Sequence, residues 1–255
     1  MKKIIIQIIV LTTVSVVYSQ DITKQIDSLK NEGLLMAALQ QQYKLLAEKP
    51  SEDLHYDIAS TYALLWSSQA RDSAFVHLHK ALKNDASLQV LYDPHFLSLI
   101  EDERWLAIEN SQLKKYEIQN NLIQNKSFAL KLFRMIIKDQ GFMYVGNIER
   151  KKYMKNGGYF STPAIYPILA MEEKNHNQNT EELLRLLDEN GWPTASQVTE
   201  YAAAGAALII NHTNYKIRKK YFPMLEAAFK KGEAQPLRYA KMKDRLLIEE
   251  GKEQL

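Results

Sequence analysis

From Ile22 to about Ala47 the apolar residues Ile26, Leu29, Leu34, Leu35, Ala38, Tyr43, Leu45 and Leu46 recur at helix-compatible spacings, broken only by Asn31-Glu32-Gly33. The spacing predicts helix on both sides of that break. Pro50-Ser51-Glu52-Asp53 reads as a turn and helix start, because Ser51 can accept a backbone N–H and the acidic residues suit the positive end of the helix dipole. The helix that follows runs through Tyr56, Ala59, Tyr62, Ala63 and Trp66, gives way at Ser67-Ser68, and is succeeded by another carrying Ala74, Leu78, Ala81 and Leu82. In DPHFLSLIEDERWLAI, Pro94 opens a further helix whose Phe96, Leu97, Leu99, Ile100 and Trp105 can cover an apolar face. The polar stretch SQLKKYEIQNN then places a domain boundary near 110–122.

The second half repeats the helical period. In SFALKLFRMIIKDQ, Phe128, Leu132, Met135, Ile136 and Asp139 share one stripe, so a carboxylate lies on an apolar face. The segment GFMYVGNIERKKYMKNGGYFSTPAIYP has no clear period, and its glycines and aromatics suggest an irregular loop or short strands, with a turn at Asn156-Gly157-Gly158. Leu183, Leu184, Leu186 and Leu187 mark a helix that Asn190-Gly191 ends as a left-handed cap, with Pro193 preventing continuation. Ala195 to Ile210 reads as one alanine-dense, central helix. Tyr215 to Lys231 is amphipathic, with KIRKK on the outer side and Pro223 expected to kink or divide it. Leu237 to Glu250 closes the chain as a helix.

Composition changes the picture in two places. Lys2 and Lys3 precede an apolar run from Ile4 to Val17, with Val17 and Ser19 at the −3 and −1 positions of a cut, which predicts a signal peptide over 1–19 and export to the periplasm or beyond. The run is short for a bilayer-spanning helix, and no later segment is a candidate for one. There is no cysteine, which excludes a lipoprotein anchor, disulfides and thiolate metal sites. Of 33 Lys and Arg, two lie in the leader, so the remainder nearly balances the 30 acidic residues and gives no electrostatic case for nucleic acid.

Tyr62, Ala74 and Ala81 stand where a tetratricopeptide repeat places an aromatic and two small residues, so residues 20–112 resemble a short array of that kind with a capping helix. That resemblance implies a helical groove for a peptide or another envelope protein. Three polar groups, Asp139, His212 and Asp244, fall by helical spacing on faces otherwise apolar, where an unpaired charge is costly. His77, His79 and His95 read as surface or packing residues. Asp139-Gln140, Gly191-Trp192-Pro193 with Gln197-Val198, His212, Gly232-Glu233 and Asp244-Arg245, in that order, resemble a bacterial domain-of-unknown-function family, DUF6624, over about 123–255. The chain departs from that pattern at Asn211, where the family has Gln, in lacking an Arg close after Asp-Gln, with Arg150 the nearest, and in its ending, which suggests C-terminal truncation.

These landmarks support two readings. In one, Asp139 and Asp244 pair with Arg245 or His212 and tie helices together. In the other, His212, Asp139, Asp244 and Arg245 converge in a cleft where His212 acts as a general base oriented by an Asp, or one His and two carboxylates hold a metal. Gln140 and Trp192 are the binding candidates, Trp192 alternatively being a core anchor. No H-E-x-x-H or G-x-S-x-G motif occurs, and no cofactor is indicated. The expectation is an all-α exported protein, a tetratricopeptide-like array followed by an α-helical domain. Its expected role is an envelope interaction or scaffold module, with a hydrolase or ligand-binding enzyme centred on His212 as the alternative.

Overall fold

The computed structural model describes residues 22–155 and 165–254. The expected leader and the turn at Asn156-Gly157-Gly158 lie outside them. The described residues form an all-α protein without strands: α1 (22–31), α2 (Leu35–Glu48), α3 (Glu52–Ala63), α4 (Ser68–Ala81), two 3-10 turns (Gln89–Leu91 and Pro94–Phe96), α5 (Glu103–Gln119), α6 (Lys126–Lys155), α7 (Ile165–Asn190), α8 (Ala195–Val198), α9 (Glu200–His212), α10 (Tyr215–Lys230) and α11 (Pro236–Glu249). No helix among them is long and apolar enough to cross a membrane. They divide into two compact units, one of residues 22–84 with 151–155, the other of 85–150 with 165–254.

In the first unit Ser51 acts as the start signal it was read to be, and Ser67, read as a break, is a cap as well. Ser51 accepts from the Leu54 N–H and Ser67 from the Ala70 N–H, each relieving one of the unpaired donors of a helix N-terminus. Gly33, at φ +73°, makes the turn between α1 and α2, a conformation glycine adopts without a Cβ clash. Leu39, Leu54 and Ile58 form the core. Ala59 and Ala74 are fully enclosed, so α3 and α4 approach closely. A buried polar network locks α1 and α2 to α3: Lys30 Nζ donates to Asp57 and Ser60, while Gln42 Nε2 donates to Asp57 and Thr61. The donors of Lys30 and Gln42 are thereby paired, as burial requires, while Gln42 Oε1 is buried without a hydrogen-bond partner.

In the second unit every residue of α9 from Ala202 to Ile210 is buried. The alanines do what small side chains permit: a Cβ on Gly205 would stand 2.8 Å from Ile136 of α6, so the two backbones meet at this point. On the other flank of α6, Arg134 donates to both oxygens of the buried Glu109 at 2.7 and 2.8 Å, fixing α5.

Four expectations are corrected. The polar stretch 110–122 is no linker but mostly the second half of α5, whose Gln112 and Leu113 are buried; Gln112 donates to the carbonyls of Asp85 and Ser87. From Gly141 to Lys155 the segment is not irregular, since α6 continues through it. Gly141 serves close packing rather than a turn, because a Cβ there would sit 2.9 Å from both Leu97 and the Pro94 carbonyl. The alanine-rich helix is broken at Thr199 (φ 87°, ψ 155°), whose hydroxyl caps α9 by accepting from Ala202 N–H. Pro223 does not divide α10, which runs through it unbroken with Pro223 on its exposed face.

Candidate functional site

Asp139 is placed by α6 and His212 is the last residue of α9, and the two side chains meet: His212 Nδ1 stands 3.1 Å from Asp139 Oδ1. A carboxylate only accepts, so Nδ1 carries a proton, and in the neutral ring Nε2 is the nitrogen with the lone pair. The other oxygen, Asp139 Oδ2, accepts from Gln140 Nε2 at 2.6 Å, so the Asp-Gln pair acts as carboxylate and clamp. Arg238 of α11 adds attraction to Asp139 from nearby, and burial pulls its own proton affinity down. Its Nε is buried without a hydrogen-bond partner.

The end of α9 is anchored through its last carbonyls, which a helix leaves without internal donors. The Asn211 carbonyl accepts from Arg245 Nη1 at 2.8 Å and from Arg218 Nη1 at 3.3 Å, and Ile210 accepts from the Thr213 hydroxyl at 2.6 Å. Two guanidinium groups at a helix C-terminus also complement its dipole. Arg218 is 2% exposed and paired with Glu249; burial and the neighbouring Arg245 lower its proton affinity. Sequence reading put Arg218 on the outer side with the rest of KIRKK, and this is corrected. Its spacing to Tyr221 and Leu225 is that of the apolar stripe.

The pair opens onto a cavity of about 430 Å³ lined by Asp139, Met143 and Arg150 of α6, by residues of α7 including Glu172 and His176, and by His212 and Arg245. Asp139, Met143 and Arg150 repeat at helical spacing along one face of α6, with Gly146 between them. Arg150, the nearest Arg after Asp-Gln in the sequence, lines this cavity, and its Nη2 reaches Glu172 Oε2 at 3.3 Å. One turn before Asp139, Asn179 of α7 donates to the Met135 carbonyl and sets the distance between α6 and α7.

Of the residues singled out from sequence, the cavity brings together Asp139, His212 and Arg245. Asp244 is half-buried on α11 and does not line it. Gln140 acts on Asp139 from behind, and Trp192, 8% exposed, follows the α7 cap at Gly191 as a core residue away from the cavity lining. Arg150, Glu172 and His176 were missed because the helices that align them were not legible as helices. Among the described residues no three His, Asp or Glu side chains group as a metal site, so the metal variant built on Asp244 has no geometry behind it.

Comparison with curated proteins and with solved structures gives no match. The landmark residues Asp139, Gln140, Trp192, His212 and Arg245 all fall within one family match. Residues 132–255 match a family of unknown function (DUF6624).

Proposed function

We propose that the second unit is a small-molecule site in which His212 acts as a general base for hydrolytic chemistry. The observation that carries this is the Asp139–His212 hydrogen bond in the wall of an open cavity of about 430 Å³. Asp139 fixes the tautomer and stabilises the imidazolium that forms when Nε2 takes a proton from water or a substrate hydroxyl. Arg245, in the same wall, offers positive charge to a substrate anion or developing oxyanion. The leader pattern of residues 1–19 supports export, so the reaction belongs in the periplasm or outside the cell.

The first unit supports a second role in the same protein. Ala74 and Ala81, two of the three residues on which the tetratricopeptide likeness rests, are buried, and this supports a helical hairpin that docks an envelope protein or peptide. The test of the catalytic reading is a screen of ester, amide and phosphoester substrates with wild type and His212→Ala. Turnover falling by roughly 10²–10⁴-fold in a variant that still folds supports it. A variant that loses stability by ~1–3 kcal/mol, with no substrate turned over by wild type, makes the pair structural.

A further inference from the structure

Buried residues recur at every fourth position along α7: Asn175, Asn179, Leu183 and Leu187. The leucines suit a stripe packed against neighbouring helices. The asparagines do not, because a carboxamide taken out of water has to be met by other polar groups. Asn179 is met, since it donates to the Met135 carbonyl of α6. Asn175, one turn away, is only 7% exposed and has no hydrogen-bond partner among the described residues. Its side chain stands in the wall of the cavity that holds His212. A buried donor and acceptor are therefore kept where only something inside the cavity can use them.

Arg245, in the same wall, is also underused. Its Nη1 donates to the Asn211 carbonyl at 2.8 Å, and a guanidinium carries five N–H donors, so most of its capacity is left for an anion. Asp139 is committed to His212 and Gln140, and Arg150 to Glu172. The charge balance decides which anion fits. With Arg150 and Glu172 paired, Arg245 shares the wall with the carboxylates of Asp139 and Glu173, which repel a phosphate dianion twice as strongly as a single charge. A phosphate dianion also offers only acceptors and would leave the Asn175 oxygen unmet. A carboxylate attached to a peptide main chain meets both demands. In an extended residue the N–H and C=O point to the same side, as in the ladder pairs that exchange both bonds, so one carboxamide can serve the two together.

We propose that the cavity binds the C-terminal end of a short peptide, with its carboxylate on Arg245 and the N–H and C=O of one of its residues on Asn175. Met143 and Leu169 supply an apolar wall for a side chain, and about 430 Å³ is within the range of small-ligand sites. The assignment rests on the reading of this cavity as a small-molecule site and names its ligand class: an amide, not a phosphoester, is the bond offered to His212.

The experiment is calorimetric titration of the full chain with N-acetyl-alanyl-alanine. One saturable site is expected. The same peptide with its carboxylate converted to an amide should bind at least tenfold more weakly, and equimolar inorganic phosphate should not displace the acid. Asn175→Leu should weaken binding at least tenfold while its thermal unfolding midpoint stays level or rises, because the stripe becomes wholly apolar. No saturable binding in wild type, displacement by phosphate, equal binding of the amidated peptide, or an Asn175→Leu variant that binds as wild type or unfolds several degrees earlier overturns the assignment. The catalytic role of His212 is read separately, from turnover of the same peptide: binding without turnover removes that role and leaves the ligand class standing. Turnover of another substrate by a protein that binds no peptide does the reverse.

Discussion

At the residue scale the site turns on which atom holds which proton. Asp139 accepts from His212 Nδ1 through one oxygen and from Gln140 through the other, so both oxygens are engaged. Asp139→Asn keeps the shape but presents an amide that can hold the imidazole in the wrong tautomer. We expect turnover to fall by on the order of 10³–10⁴-fold, with the midpoint of thermal unfolding shifted by only a few degrees. A variant as active as wild type would mean that the carboxylate only packs. The pairing of Asp139 with His212 was half legible: helical spacing put both on apolar faces, but nothing in the sequence said that they face each other. Arg218 was misread because its basic neighbours Lys216, Lys219 and Lys220 are exposed, whereas its own position belongs to the stripe of Tyr221 and Leu225.

At the element scale, glycine decides the geometry of α6. Gly141 and Gly205 mark the points where it meets the Pro94–Leu97 turn and α9, and at Gly141 one of the atoms in the way is a backbone carbonyl that cannot swing aside. Gly141→Ala is therefore expected to cost ~1–3 kcal/mol of stability, measured by chemical denaturation. Gly146→Ala should cost far less, because its nearest neighbour is the end of the Arg150 side chain, 3.3 Å away. Equal costs would contradict this packing. The same glycines explain why sequence reading stopped the helix too soon. A glycine signals a turn or a close approach with equal force, and only the neighbour across the contact, here Leu97 and Pro94, distinguishes them. A start signal such as Ser51 was legible because a cap is satisfied within its own three residues, and the break at Ser67 was legible for the same reason. Thr199 was not, since its left-handed backbone is held by the packing of α9 and has no local signature.

At the scale of the whole molecule, the buried imidazole of His77 makes the first unit sensitive to acid. Its proton affinity is depressed in the folded state to about 4, so between the unperturbed histidine value of about 6.5 and 4 the unfolded chain binds the extra proton and folding must release it. Stability is then full above about pH 6.5 and declines as the pH falls toward 4. Thermal unfolding of wild type and His77→Gln across pH 7.5 to 4.5 should show a steeper decline in wild type, and parallel curves would refute the linkage. The all-α class and the burial of the alanine-rich helix were plain from periodicity alone, because alanine repeats at that density leave no polar face. The grouping of 85–122 with the second unit was not, since the polar surface of α5 reads like a linker until Glu109 and Gln112 find their buried partners.

That alanine-rich helix has a further consequence. With no water-facing side from Ala202 to Ile210, its amides can take up deuterium only when the surrounding unit opens as a whole, so their exchange rate reports the stability of that unit directly. His212 is mounted on the last turn of this buried helix, so a compound seated against it is expected to slow that exchange further before its chemistry is known.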